Sequence, residues 1–109
     1  MEILTYIREH FREDLSNEEI AAQFHVSSGH LNRLFRTILK QSVHSYLTDV
    51  RIEAALQDIN TTNLSLTEIC YRNGFVSHKS FIAEFRKRFF VSPSEYRKSI
   101  RSSAAHQQT

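Results

Sequence analysis

The sequence has few of the residues that break helices. Only two glycines and one proline occur among its 109 residues, whereas an all-β chain of this length needs many turns built from them. Its single cysteine, Cys70, excludes an internal disulfide bond and is typical of a reducing compartment. No apolar run approaches the roughly 20 residues of a membrane span, and the acidic N-terminus lacks the layout of a signal peptide. We expect a cytoplasmic, all-α protein that has no contact with a membrane.

Sequence patterns typical of catalysis and metal binding are also missing. The chain has no Gly-rich phosphate loop, no nucleophile elbow and no paired-carboxylate site. Among its six histidines, His25 and His30 are five residues apart across a turn, and no pair has the spacing of zinc ligands. Cys70 lies on an apolar stripe, which predicts a small core residue. We therefore expect no enzyme activity, no metal site and no cofactor.

Two stretches of the chain, 15–40 and 64–97, share one layout. Each begins with the capping-box pattern S-x-x-E, at Ser16 and at Ser65, which starts a short helix. A tight turn follows, and then a longer helix with one apolar face. The offset between the copies changes from 49 to 50 residues at Asn73-Gly74-Phe75, because the second turn is one residue longer. The chain therefore contains one helical unit twice.

The apolar periodicity predicts about seven helices. The four longest predictions cover 2–13, 28–40, 43–59 and 77–89. A third capping box at Ser92, followed by Pro93 at the first helical position, starts the last helix. The predicted inner stripes of the two longer unit helices are Leu31, Leu34, Phe35 and Ile38 in the first copy and Phe81, Phe85 and Phe89, flanked by Ile82, in the second.

The charge is unevenly distributed, although the net charge is only +2. The outer face of segment 28–40 carries Arg33, Arg36 and Lys40, and the segment contains no acidic residue. In segment 77–89, Glu84 is the only acidic residue beside several basic ones. Such a face is compatible with a solvated helix surface. It also suits the major groove of DNA, where Arg, Lys, Asn and Ser bind base edges or phosphates.

Both copies carry motif residues, and the motif of the second copy is the more specific. The motif residues are Ile69-Cys70, Gly74-Phe75, Ser80-Phe81, Phe85-Arg86 and Pro93-Ser94-x-Tyr96-Arg97, together with Ile20-Ala21, Leu31-x-Arg33-x-Phe35-Arg36, Tyr46-Leu47 and Arg51-x-x-x-Ala55 in the first half. With these residues the chain resembles the DNA-binding domain of the AraC/XylS family of bacterial transcription regulators. The resemblance covers residues 2–100. It implies a homeodomain-like fold with two helix-turn-helix subdomains, 1–41 and 61–101, a linker helix over 42–60 and a flexible tail over 102–109.

The resemblance also implies which residues meet DNA. Base-reading positions fall on Ser28, Gly29, Asn32 and Arg33 in the first recognition helix, and on His78, Lys79 and Ala83 in the second. Phosphate contacts fall on Arg36, Lys40, Arg86 and Lys87. By the usual bidentate geometry Asn32 suits adenine and Arg33 suits guanine. Because Ala83 is short and Gly29 has no side chain, we expect Asn32 and Arg33 to make the first copy the more selective reader.

One departure from the family pattern concerns the ends of both recognition helices. Many members have Gly just after each helix, where this chain has Lys40 and Phe90. Either these helices end differently, or a non-Gly residue takes a left-handed conformation at some energetic cost.

The expected partner is double-stranded DNA, bound in successive major-groove segments roughly 34 Å apart. The resemblance further implies contact with RNA polymerase, as in an activator, and an effector-sensing or dimerising domain for which this chain has no room. A stand-alone regulator and a C-terminal piece of a longer one both fit. The rival hypothesis is a helical interaction module whose basic faces bind an acidic partner and bind DNA only non-specifically.

Overall fold

The computed structural model describes the backbone of residues 2–107 and the side chains of residues 2–103. Over this range the chain forms seven α-helices and no strand, which confirms the all-α prediction. The helices are α1 (Glu2–His10), α2 (Asn17–Gln23), α3 (Ser28–Leu39), α4 (Val43–Thr61), α5 (Leu66–Arg72), α6 (His78–Phe89) and α7 (Pro93–Gln107). None of these seven helices has the length and apolar character needed to cross a membrane.

The chain divides into two compact units, Met1–Arg51 and Ile52–Thr109. The boundary falls within α4, so that this helix contributes its first half to unit 1 and its second half to unit 2. Unit 1 contains α1, α2 and α3, and unit 2 contains α5, α6 and α7. Each unit therefore contains one helix-turn-helix pair, α2–α3 or α5–α6.

The three predicted capping boxes each start a helix. In every one the serine hydroxyl accepts a 3.1 Å hydrogen bond from the backbone N–H three residues later: Ser16 from Glu19, Ser65 from Glu68 and Ser92 from Glu95. At α7 the bond is reciprocal, because the Ser92 N–H donates to Glu95 Oε1 at 3.2 Å. These bonds satisfy N–H groups that have no partner within the helix, and they fix where α2, α5 and α7 begin.

The two turns between paired helices also match the repeat. The first turn comprises residues 24–27 and the second residues 73–77, so the second is one residue longer as predicted. After α2 the Val26 N–H bonds to the Ala21 carbonyl at 3.1 Å, and after α5 the Phe75 N–H bonds to the Cys70 carbonyl at 3.2 Å. Gly74 has a φ of 91°, which only glycine adopts readily.

Each unit is built around a phenylalanine of its longer helix. Phe35 and Phe85 are both fully buried. The ring of Phe35 lies 5.9 Å from that of Tyr46 on α4, and the ring of Phe85 lies 5.8 Å from that of Tyr96 on α7. Aromatic rings at this separation add to the stability gained from burial. The core of unit 2 also includes Cys70, whose thiol has a raised pKa because it is buried.

The predicted inner stripes of α3 and α6 contain more residues than the structure buries. Leu31, Phe35, Phe81 and Phe85 are buried as expected. Ile38 is 53% exposed, so its assignment to the core was wrong, and Ile82 lies at the surface as well. The helical period assigns a residue to a face, but it does not determine how far the neighbouring helices extend along that face.

Both longer helices end in a left-handed residue that is not glycine. Lys40 follows α3 with a φ of 59° and a ψ of 27°, and Phe90 follows α6 with a φ of 67° and a ψ of 3°. Of the two endings that the sequence left open, the left-handed one is present at both helices. Such a conformation places Cβ close to the backbone and is unfavourable for residues with a side chain.

Unit 2 contains a buried polar pair, Asn73 and Asp58, that the sequence motifs did not predict. Asn73 is fully buried, and its Nδ2 donates to Asp58 Oδ2 at 2.8 Å and to the Ile69 carbonyl at 2.9 Å. Arg72 Nε lies 3.5 Å from the same Asp58 oxygen. The bond to Asp58 connects the end of α5 to α4, whereas the bond to Ile69 stays within the last turn of α5.

Candidate nucleic-acid interface

The orientation of α3 in unit 1 is set by its cap and its two buried side chains. Ser27 caps the helix by accepting a 3.1 Å bond from the His30 N–H. Leu31 and Phe35 are fully buried, so Arg33 and Arg36 project to the exposed side. Within the part of the chain that the structure describes, neither guanidinium forms an ion pair. This side of α3 therefore presents available positive charge.

The first turn of α3 combines a glycine with two longer polar side chains. Arg33 Nη1 lies 4.0 Å from the position that a Cβ on Gly29 would take, so the arginine extends back over Gly29. Asn32 Nδ2 donates to the Ser28 carbonyl at 3.2 Å. The Asn32 amide is thus held by its own helix through one of the two Nδ2 hydrogens, and the other hydrogen and Oδ1 are not used by this bond. Ser28 is half-buried and Gly29 is exposed.

In unit 2, the first residue of α6 is held by α5. His78 Nε2 lies 2.9 Å from Thr67 Oγ1, and its ring centroid lies 6.3 Å from those of Tyr71 and Phe81. The side chain is half-buried. These contacts fix the ring and use one of its two nitrogens, so Nδ1 is the nitrogen that remains for another partner.

Two lysines supply the available charge on the rest of the exposed face of α6. Lys79, Ala83 and Lys87 are all exposed, as expected. Arg88 is bonded to Glu84, with Nη1 3.1 Å from the carboxylate, and this pair neutralises the one acidic residue of the helix. The charge available along this face is therefore that of Lys79 and Lys87.

Arg86 differs from its counterpart Arg36. Its Nη2 donates to Glu95 Oε1, the same oxygen that accepts the N–H of Ser92. The bond from Arg86, with those from Ser92, lowers the pKa of Glu95, which therefore remains ionised at neutral pH. Arg86 is exposed but already paired, so it has less charge to offer a phosphate than Arg36.

Two arginines that were not predicted as site residues hold the segments leading into the helix-turn-helix pairs. In unit 1, Arg51 Nε and Nη2 donate to the carbonyls of Phe11 and Glu13, both at 2.8 Å. These bonds satisfy carbonyls in the segment that follows α1. The helix ends at His10, whereas the periodicity predicted an end at residue 13.

In unit 2 the corresponding bonds come from Arg97, which is buried. Its Nη1 donates to the Leu64 carbonyl at 2.6 Å, and its Nη2 lies 3.4 Å from the Thr62 carbonyl. Burial lowers the pKa of Arg97 and of Arg51. The sequence shows both arginines within the family motifs, but it gives no signal that their partners are main-chain carbonyls 33 to 40 residues away.

Two helix-turn-helix units whose longer helices expose basic and polar side chains define a DNA-binding protein of the helix-turn-helix class. A family model described as a helix-turn-helix domain matches residues 20–99. The chain is 30% identical over 96 residues to the regulatory protein SoxS of Escherichia coli strain K12, which covers 88% of this chain and 90% of SoxS. The chain belongs to the AraC/XylS family of transcription regulators.

Other relatives show the range of lengths and contexts in which the fold occurs. An uncharacterized HTH-type transcriptional regulator of Staphylococcus aureus strain COL is 35% identical over 96 residues, yet the chain spans only 13% of its length. The structure of the DNA-binding domain of AdpA, in complex with a target DNA, superimposes with a TM-score of 0.88 at 27% identity and covers 94% of this chain and 92% of that domain.

Proposed function

We propose that the chain binds specific double-stranded DNA sequences by inserting α3 and α6 into successive major-groove segments. The observation that carries the proposal is the exposed face of α3, where Arg33 and Arg36 are available and no acidic residue is present. An α-helix fits the major groove, and arginine is the commonest reader of guanine. The target-DNA complex of AdpA supports the same use of the fold.

The proposed division of labour follows the positions on each helix. The base-reading residues are Ser28, Asn32 and Arg33 on α3, and His78, Lys79 and Ala83 on α6. Phosphate contacts come from Arg36, Lys40 and Lys87, with a weaker one from Arg86. Asn32 pairs with adenine through Oδ1 and the Nδ2 hydrogen that the Ser28 carbonyl does not use, and Arg33 pairs with guanine. Because α6 offers fewer base-reading groups, α3 supplies most of the selectivity.

We further propose that the chain acts in the bacterial cytoplasm as a transcription activator that recruits RNA polymerase. SoxS, which is called a regulatory protein, is 30% identical to this chain and supports a role in regulation. The staphylococcal relatives, of which the chain spans only 13%, are called transcriptional regulators and support the same role for this domain within a longer protein.

Selection of bound duplexes from a random pool, followed by footprinting at several salt concentrations, tests the DNA-binding proposal. The expected result is one enriched sequence and a bounded footprint over about two major-groove turns, retained at moderate salt. An interaction module with basic faces predicts no enriched sequence, no bounded footprint and a binding that disappears steeply with salt. That second outcome contradicts the proposal.

A further inference from the structure

Phe90 combines two features that are unfavourable in the free protein. It ends α6 in the left-handed conformation, with a φ of 67°, and its side chain is 86% exposed. Its N–H bonds to the Arg86 carbonyl at 2.8 Å, so the residue is fixed in place and is not a frayed end. A left-handed position favours glycine, and an exposed phenyl ring gains nothing from burial. The exposure of the ring is explained if the ring is covered by a partner.

The position of Phe90 on α6 identifies the side that a partner would approach. At 100° per residue, the Cα of Phe90 falls on the same side of α6 as Lys79, Ala83 and Lys87, at the C-terminal end of the outer face. This is the face that carries the proposed base-reading and phosphate-binding side chains of unit 2. Phe90 therefore lies at the far end of the DNA-facing surface and is continuous with it.

The counterpart of Phe90 in unit 1 is Lys40, 50 residues earlier. Lys40 also follows its helix in the left-handed conformation, with a φ of 59°, and is also exposed. The two units therefore present different chemistry at the same helix end, an ammonium group in one and a phenyl ring in the other. An ammonium binds phosphate, whereas a phenyl ring has no donor and needs an apolar surface.

We infer that the Phe90 ring packs against the deoxyribose of the DNA backbone at the rim of the groove that α6 enters. The 11 steps from Lys79 to Phe90 span about 16 Å at 1.5 Å per residue, which exceeds the roughly 8.5 Å depth of the major groove. When the N-terminal turn of α6 enters the groove and Lys79 lies at the base edges, Phe90 lies at the level of the backbone that borders the groove. Sugar carbons are the apolar surface available there. The inference rests on the DNA-binding mode proposed above.

The variant Phe90→Gly tests this inference. We expect it to fold, because glycine adopts the left-handed conformation readily. We expect its thermal midpoint to rise and its affinity for the selected duplex to fall about five-fold through the lost apolar contact. The slope of log affinity against log salt should not change, since no phosphate contact is lost. Fluorescence anisotropy at several salt concentrations and a thermal melt measure these quantities.

Lys40→Gly is the matched control, because it also places glycine at a left-handed position that directly follows a longer helix. We expect its thermal midpoint to rise as well, but its salt slope to fall by about 0.9 because one phosphate contact is lost. Phe90→Lys should regain affinity and steepen the slope by a similar amount. An unchanged salt slope in Phe90→Gly beside a reduced slope in Lys40→Gly therefore separates the apolar contact from the ionic one.

Three outcomes would overturn the inference. One is unchanged affinity of Phe90→Gly when Arg33→Ala and Lys40→Gly weaken binding, which leaves the DNA-binding proposal intact. Another is a loss of affinity that disappears on a duplex with uracil in place of thymine, because the ring then contacts a base methyl. The third is the absence of any bounded footprint for the wild-type chain, which refutes the proposed DNA binding itself.

Discussion

Arg86 Nη2 lies 2.9 Å from Glu95 Oε1, whereas the counterpart of this pair in unit 1 contains no carboxylate. Arg36 occupies the position of Arg86, and Ser45 occupies the position of Glu95, 50 residues earlier in both cases. The Ser45 hydroxyl donates to Gln41 instead. Two arginines that are equivalent in the repeat therefore have different electrostatic surroundings, and they should contribute unequally to DNA binding.

Replacing Arg36 by Ala should weaken binding to every DNA sequence, because a phosphate contact carries no sequence information. We expect the salt slope to fall by about 0.9. Arg86→Ala should have a smaller effect, since Glu95 already neutralises that guanidinium. Anisotropy titrations of both variants on cognate and random duplexes provide the comparison. Equal losses for the two variants would contradict the difference in availability.

Replacing Glu95 by Gln should change how stability depends on pH. The bonds from Arg86 and Ser92 lower the pKa of Glu95 in the folded state below its ordinary value of 4.5. A carboxylate with a lowered pKa stabilises the fold above its unfolded pKa, and this contribution is lost as the pH falls through the folded value. Thermal melts below pH 4.5 should therefore show a shallower acid decline in the variant. Identical acid declines would show that the bonds are not formed in solution.

Replacing Arg33 by Ala should cost roughly 1–3 kcal/mol of binding at the selected site and relax the preference at one base pair. Its guanidinium extends over Gly29 and has no partner among the described residues that would have to be displaced. Repeating the duplex selection with the variant measures the effect. An equal loss on cognate and random DNA would assign Arg33 to a phosphate and not to a base.

Asn73→Asp should destabilise unit 2 by about 3 kcal/mol at neutral pH, because it places a second buried carboxylate next to Asp58. Burial and the Asp58 charge should raise the pKa of the new carboxyl in the folded state. The penalty should then shrink as the pH falls through that raised value, since the protonated form carries no charge. Chemical denaturation at several pH values provides the measurement. A penalty independent of pH would mean that the loss comes from packing alone.

Phe85→Ala should cost about 3–5 kcal/mol of stability by leaving a cavity beside Tyr96. Phe35→Ala, which removes the equivalent fully buried ring beside Tyr46, is the natural comparison and should cost a similar amount. Denaturant unfolding of both variants measures the loss. An unchanged unfolding midpoint for either would show that its ring does not support the core of its unit.

The parts of the fold that depend on neighbouring residues were predictable from the sequence. Capping boxes and the apolar period of a helix act over three or four residues, which is why Ser16, Ser65 and Ser92 were placed correctly. The parts that depend on distant partners were missed. The exposure of Ile38 is set by where other helices end, and the Asp58–Asn73 pair joins residues 15 positions apart.

The sequence predicts which residues of the site are exposed, but it does not predict which of their charged groups are already paired. Exposed positions for Arg33, Arg36, Lys79, Ala83 and Lys87 follow from the helical period. The sequence alone did not show that Glu95 pairs with Arg86 or that Thr67 holds His78, because these bonds cross from one helix to another. The left-handed ends at Lys40 and Phe90 were one of two stated alternatives, since neither residue type favours that conformation.

Arg51 and Arg97 both donate hydrogen bonds to main-chain carbonyls, although their positions are not equivalent in the repeat. An offset of 50 residues pairs Arg97 with Leu47, and Arg51 is one helical turn further along. Both nevertheless hold the carbonyls of the chain that enters the next helix pair. An alignment by residue type misses this correspondence, which is visible in the shared acceptor position of Glu13 and Thr62, 49 residues apart. The two units therefore contain the same kind of arginine-to-carbonyl bond, although the arginine stands one helical turn apart in the two copies.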